Sequence, residues 1–130
     1  MISIDTNVIV RFLTKDDEKQ YKKAYTLIDS NDVYVPDTVI LETEWVLRYA
    51  YEFSPKEICE GLEYFFGLKN VKLTNAQIVF TAITWCRKGM DFADAFHLAL
   101  SQQFEAFATF DKKFIKKATL TETSTKVILP

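Results

Sequence analysis

Apolar residues recur along the chain at two different periods, and the alternation between them predicts an order of elements. Ile2-Ser3-Ile4-Asp5 reads as a short strand over residues 2–5 that ends in an acid. From Asn7 the spacing changes, and Val8, Ile9, Phe12 and Leu13 fall on one helical face. A second helix runs through Ile28, with Tyr21, Ala24, Tyr25 and Ile28 as its buried stripe. Asp16 and Asp17 stand at its start, where acids suit the helix dipole. Val33 and Val35, just before Pro36, form a second strand.

A third helix is expected over about 38–51. Ser54-Pro55-Lys56-Glu57 opens a fourth, with a cap, a proline at the first position and a Glu that completes a capping box. Val71 and Leu73 suggest a third strand. Thr74 reads as the cap of a fifth helix, with Gln77 in the box position and Gly89 as the stop. Asp91 opens a sixth helix to about residue 103, and Ala106-Phe107-Ala108-Thr109 reads as a fourth strand. A short basic helix over 112–117 and a last strand over 126–129 complete the order. Short strands alternating with helices predict an α/β fold around a parallel sheet, here of about four or five strands in one domain over 1–130. In such sheets ligands bind beyond the carboxyl ends of the strands.

Composition adds limits rather than direction. The 130 residues are 48% hydrophobic and 26% charged, an ordinary globular balance that supports one proper core. Three Gly and three Pro leave little room for flexible linkers. The first residues lack the basic start and long apolar run of a leader, and no stretch approaches the roughly 20 apolar residues of a membrane span. Cys59 and Cys86 each sit among apolar neighbours in a helical pattern and read as reduced, packed thiols. A cytoplasmic location is the expectation. A net charge of −2 argues mildly against nonspecific nucleic-acid binding, although a divalent cation on a carboxylate cluster would reverse the local sign.

The acids carry the chemistry. Asp5 ends the first strand, Asp111 follows the fourth, Asp94 lies in the first turn of the helix before it, and Glu42 lies about one turn into the third helix. Strand direction lets all four point into one crevice. Each has a plain alternative: Asp5 and Asp91 as caps, Asp94 in favour with a dipole, Asp111 in a turn, Glu42 on a solvated face. Against this, Glu42 and Glu44 interrupt an otherwise apolar run, Val39 to Leu47, and a carboxylate on a buried helix needs a partner. Asp94 is flanked by Ala93 and Ala95. Carboxylates that share a pocket repel unless a cation neutralises them, and all-oxygen ligands suit Mg²⁺ or Mn²⁺ rather than Zn²⁺. Such a site suits phosphodiester hydrolysis.

Asp5-Thr6-Asn7-Val8-Ile9-Val10-Arg11 resembles the opening of PIN domains, especially the VapC toxins of bacterial and archaeal toxin–antitoxin pairs. Leu41-Glu42-Thr43-Glu44-Trp45-Val46-Leu47 is similar to their second motif, Asp91-Phe92-Ala93-Asp94-Ala95 to the third and Thr109-Phe110-Asp111 to the fourth. The likeness covers essentially the whole chain, with the motifs in order. It implies a three-layer α/β/α fold and Mg²⁺- or Mn²⁺-dependent endoribonuclease activity. It also implies an antitoxin partner that blocks the site, and homodimerisation. By motif, Asp5, Glu42, Asp94 and Asp111 take the catalytic, metal-binding places, with Thr6, Asp91 and Thr109 supporting them. Glu44 lies two residues from Glu42, so the two point apart on a helix and Glu44 stays outside the metal site.

Arg11, Lys112 and Lys113 are candidates to hold RNA phosphates, the lysines being equally readable as a solvated helix face. His97, the one histidine, reads as packed or as support for Asp94, three residues before it. Two rival functions remain. A phosphatase with Asp5 as nucleophile would want an Asp where Asn7 stands, and a non-catalytic PIN-fold module that binds RNA or protein would not need the full acidic set.

Overall fold

The computed structural model describes all of residues 1–130, and the chain divides into two compact units, Met1–Ala76 and Gln77–Pro130. In the first, β1 (Ile2–Ser3), β2 (Val33–Tyr34) and β3 (Val71–Lys72) pair in the order β1-β2-β3, all parallel. Ile2 pairs with Val33 and Val33 with Val71, so the strands are in step. The ladder reaches one residue further, since Ile4 N donates to the Tyr34 carbonyl at 3.0 Å and Val35 N to that of Lys72 at 3.0 Å. Strands this short are held by what packs on them. Ile4, Val33, Val35 and Val71 are buried, as are Ile9 and Val10 of α1 (Thr6–Thr14) and Ile40 and Leu47 of α3 (Asp37–Tyr49).

α2 (Glu18–Ser30) and α4 (Pro55–Phe66) complete this unit, burying Ala24 and Ile28 from one and Ile58, Leu62, Phe65 and Phe66 from the other. Parallel strands need long connections, and these helices supply them. The start of α4 is the full capping box: the Ser54 hydroxyl accepts from Glu57 N, and the Glu57 carboxylate accepts from Ser54 N at 2.9 Å. Asp17 caps α2, its side chain accepting from Gln20 N at 3.0 Å. The Asn70 amide donates to the carbonyls of Ile28 and Asn31, fastening the end of α2 to the turn before β3.

The second unit contains α5 (Ala76–Arg87, its first residue at the boundary), α6 (Phe92–Leu100), β4 (Ala106–Ala108), α7 (Lys112–Ala118) and β5 (Lys126–Ile128). β4 and β5 pair in parallel, Phe107 opposite Val127. Its core is built from Val79, Ile83 and Trp85 of α5, Phe92, Phe96 and Leu98 of α6, and Phe114 of α7. The fold is α/β, with strands that pair in parallel within each unit, as the periodicity predicts. The strands hydrogen-bond as three and two rather than as one sheet, each only two or three residues long.

Two local readings are corrected. α5 begins at Ala76, too late for Thr74 to cap it, and the Thr74 hydroxyl instead meets the Tyr34 hydroxyl at 2.6 Å. α6 stops at Leu100, short of residue 103, because residues 101–104 turn back: Ser101 N donates to Leu98 O and Phe104 N to Ser101 O. Gly89 does terminate α5. Its N–H bonds the Cys86 carbonyl and Met90 N bonds that of Trp85, the paired closure of a Schellman turn, with Met90 and Trp85 both buried.

Gly89 has φ +107°, a region that a side chain strains to enter, while its nearest obstacle to a Cβ is the flexible end of Lys117 at 3.4 Å. Backbone strain, not space, therefore sets the cost of a side chain there. Gly89→Ala is expected to lower stability by about 1 kcal/mol, read as a shift of the urea midpoint without a change in slope. An unchanged midpoint would show that the turn does not govern the end of α5.

Candidate active site

In the first unit, two candidate acids are joined through one threonine. Asp5 leaves the end of β1 with extended backbone and becomes the N-cap of α1. Its carboxylate accepts from Thr6 N at 2.7 Å. Thr6 is buried, and its hydroxyl donates to Glu42 Oε1 across 36 residues of chain. Thr6 thus holds both acids at once, one through its backbone and one through its side chain. Both carboxylates stand exposed at the carboxyl end of the strands, where the parallel arrangement predicts a ligand.

α3 separates its two glutamates as its period requires, with one correction. Glu42 is exposed rather than embedded. Glu44 is the buried one, and Arg48 Nε lies 3.0 Å from its Oε2 one turn on. The apolar run that suggested a wholly buried helix also leaves Trp45 and Tyr49 facing solvent.

In the second unit the acids gather around Asp94. Asp91 is the N-cap of α6, accepting from Asp94 N at 3.2 Å. Asp111 caps α7 by accepting from Lys113 N at 2.9 Å and Phe114 N at 3.1 Å. Thr109 fixes the approach to it, its hydroxyl accepting from Asp111 N at 3.0 Å. The capping explanation therefore accounts for Asp91 and Asp111. It does not account for the carboxylate of Asp94, which is half-buried and whose pKa no hydrogen bond helps set. Burial pushes the Asp94 carboxyl above the usual aspartate range, and the charges of Asp91 and Asp111 push it further, against a smaller opposite pull from His97. His97 is exposed rather than packed, one turn after Asp94.

The candidate phosphate contacts differ in availability. Lys112 and Lys113 are exposed in the first turn of α7, beside Asp111. Arg11 is committed elsewhere: Nε donates to Gln20 at 2.6 Å, and Nη1 donates to the Tyr51 hydroxyl at 2.7 Å and to Asp16 at 3.2 Å. Tyr51 and Thr14 also donate to Asp16, and with Arg11 they hold its carboxyl below the usual range. Arg11 is thereby assigned to tying α1 to α2. Neither this network nor the exposed Phe110 beside Asp111 was visible as such in the sequence. A Tyr forty residues away and the facing of a lone Phe leave no local signal.

The donors fit a hard cation by their chemistry, since all are carboxylate oxygens. No three or more Asp, Glu, His or Cys side chains stand close enough together to form a ligating group by themselves.

The raised Asp94 pKa has a consequence for stability. Between the ordinary aspartate value of 3.8 and the higher native one, the folded chain binds more protons than the unfolded. Without divalent ions, stability therefore falls as pH rises through that window and stays lowered above it. Asp94→Asn should remove this fall and leave the metal-free protein more stable than wild type near neutrality, the difference vanishing in acid. Urea midpoints of both proteins in EDTA from about pH 3 to pH 7 measure it, and parallel profiles would sink the assignment.

A protein-family model of the PIN domain matches residues 2–120, and that single match runs through the acids of both units. A comparison with curated proteins finds no match. PIN domains are generally nucleases and usually use divalent metal ions, which is the chemistry that clustered carboxylates serve. With nearly all of its length matched, the chain belongs to the PIN-domain family and carries its nuclease-type α/β fold.

Proposed function

We propose that this PIN domain is an endoribonuclease that hydrolyses RNA phosphodiester bonds with Mg²⁺ or Mn²⁺ held by Asp5, Glu42, Asp94 and Asp111. We propose further that it acts as the toxin of a toxin–antitoxin pair. The observation that carries the reading is Asp94, a half-buried acid beside two others with no donor to quiet it. A structural carboxylate would find a hydrogen bond or a cation in the chain, as Asp16 and Glu44 do. When bound, the divalent ion would supply a water acidic enough to attack at neutral pH and would offset charge on the phosphate oxygens.

The chain's own residues prepare that step. Thr6 keeps Glu42 in one rotamer through its hydroxyl and Asp5 through its N–H. Thr109 and the first turn of α7 hold Asp111, with both N–H groups of the turn donating to Oδ1 rather than to Oδ2. Asp91 fixes the start of α6 and so the direction in which Asp94 leaves it. Lys112 and Lys113, exposed in the first turn of α7, would meet the flanking phosphates.

The antitoxin and a second copy of the chain are the partners proposed with this function. An inhibitor tail with a basic side chain would satisfy the same carboxylates that hold the ion, so the two would compete. Its apolar part has somewhere to lie. Tyr25 and Tyr64 are exposed on either side of Phe12, with ring centroids 6.3 and 6.4 Å from it. Between α1 and α2, Val8, Ala24 and Leu27 line a cavity of about 230 Å³ together with Asn7, Arg11, Gln20 and Lys23.

Metal and activity can be tested together. Mg²⁺ or Mn²⁺ should raise the melting temperature of wild type, since the ion binds the assembled acids and not the unfolded chain. Asp5→Asn should abolish that rise while the metal-free protein remains folded. Equal responses of the two proteins would reject the metal site.

The two glutamates of α3 give a second test, on RNA cleavage. Glu42→Gln is expected to remove activity at least 100-fold with stability almost unchanged, because its side chain is exposed. Glu44→Gln should keep most activity and instead lose roughly 1–2 kcal/mol, because Arg48 loses its charge partner in a part-buried place. Equal loss of cleavage in both would show that the wrong glutamate has been assigned.

A further inference from the structure

Asp111 is held by a series of bonds that begins at the other end of the small sheet. Its N–H donates to the Thr109 hydroxyl at 3.0 Å. Thr109 N in turn donates to the Ile128 carbonyl at 2.9 Å, one step beyond the paired residues of β4 and β5. The place of Thr109 is therefore tied to β5, and β5 has little burial of its own. Lys126 and Ile128 are exposed and Val127 is half-buried. What fixes this strand is polar and lies just before it. In the turn after α6, Gln102 Nε2 donates to the Leu98 carbonyl at 2.9 Å and to the Thr123 hydroxyl at 2.7 Å, while Oε1 accepts from Ser124 N at 3.1 Å. The Thr123 hydroxyl also accepts from Thr125 N at 3.1 Å. Thr125 is only 3% exposed, and its hydroxyl is shared between the Ser101 carbonyl at 2.9 Å and that of Phe104 at 3.2 Å. A slip of one residue would put Ser124 or Lys126 in that buried place and turn the strand's side chains over, so Thr125 fixes the register of β5.

We propose that this clasp sets the position of Asp111, with Gln102 and Thr125 as positioning residues that act through β5 and Thr109. The clasp fixes the register of β5, the Ile128 carbonyl fixes Thr109, and Thr109 fixes the approach of the chain to Asp111. Thr125 and Ile128 are three residues apart, roughly 10 Å along a strand, so the hold is applied from the far end of β5. The remaining bonds to Asp111 come from Lys113 N and Phe114 N of its own helix. That helix stays on β4 by the stacking of Phe114 on Phe107, with ring centroids 5.0 Å apart. Releasing the clasp therefore costs precision at Asp111 rather than the fold of the unit. In its effect on a bound ion this rests on the nuclease reading above, and it adds two residues to which that reading gives no part. A ligating carboxylate depends on the groups behind it, and loss of one such support costs about 10–100-fold in metal affinity.

Thr125→Val keeps the branched shape and removes the hydroxyl, whereas Thr125→Ser keeps the hydroxyl. Amide NMR spectra in EDTA read the coupling without any ion. In Thr125→Val the Thr109 and Asp111 amide resonances should move or broaden while those of Val79 and Ile83, in the core of α5, stay in place. Thr125→Ser should resemble wild type. Mn²⁺ affinity, measured by titration calorimetry, should fall about 10-fold in Thr125→Val and recover in Thr125→Ser. Thr109→Val should lower it similarly, and the double variant should lose no more than Thr109→Val alone, because both residues lie on one path. Should Thr125→Val fail to fold, Gln102→Met, at a half-buried position, makes the same comparison. Unmoved Thr109 and Asp111 resonances, or additive losses in the double variant, overturn the proposal. So does unchanged Mn²⁺ affinity in a Thr125→Val protein whose two amides have moved. Moved amides together with a wild type that binds no Mn²⁺ keep the clasp and reject the metal site.

Discussion

Burial of one carboxylate, Asp94, in the field of two other acids is the constraint on which the reading of the second unit depends. Asp94 sits half-buried with Asp91 and Asp111 in its field, and each of these influences disfavours its ionised form. Nothing in local structure requires this. Asp91 already caps α6, and the dipole of α6 favours an acid at position 94 without requiring one. Folding therefore carries an electrostatic cost that the rest of the unit must offset. It does so with a tightly buried set of side chains from α5, α6 and α7 and with a paired closure at Gly89.

The first unit handles its acids differently. Its strands are two residues long, so the position of Asp5 is set less by the sheet than by the first turn of α1 and by Thr6. The buried threonine converts a local feature, a cap, into a long-range one, since its hydroxyl reaches Glu42 on α3. α3 itself divides its work by face. Glu44 and Arg48 pair on the inner side, Leu47 and Ile40 fill the core, and Glu42, Trp45 and Tyr49 look outward. One helix thus supplies core packing, a structural ion pair and an outward face that carries Glu42, because residues three and four apart share a side and residues two apart do not.

Much of this was legible in the residues. The capping box at Ser54, the helix stop at Gly89 and the acids at the starts of α2, α6 and α7 are local signals, and local signals survive folding because each acts within one turn. The order of strands and helices follows from the same short-range rules. The readings that failed were those in which a nearby pattern competed with a distant partner. Thr74 looks like a cap, but its hydroxyl is taken by Tyr34. Arg11, read as a candidate phosphate contact, also meets Asp16, Gln20 and Tyr51, partners that no local pattern announces. Glu42 looks buried because its neighbours are apolar, yet the angle at which α3 meets its core turns it outward along with a tryptophan.

The sequence by itself determined the family, the order of elements and the identity of the candidate acids, since those rest on residue type, spacing and the ends of helices. Only the tertiary structure decided which glutamate of α3 is paired and which is open, which basic side chains remain available, and that Asp94 feels two other acids. It also decided that the five strands pair as three and two. Each of these depends on the rotation of a helix about its own axis or on a contact between residues far apart in the chain. Neither quantity is written in any short stretch of residues, because both are fixed by the packing of whole elements against one another.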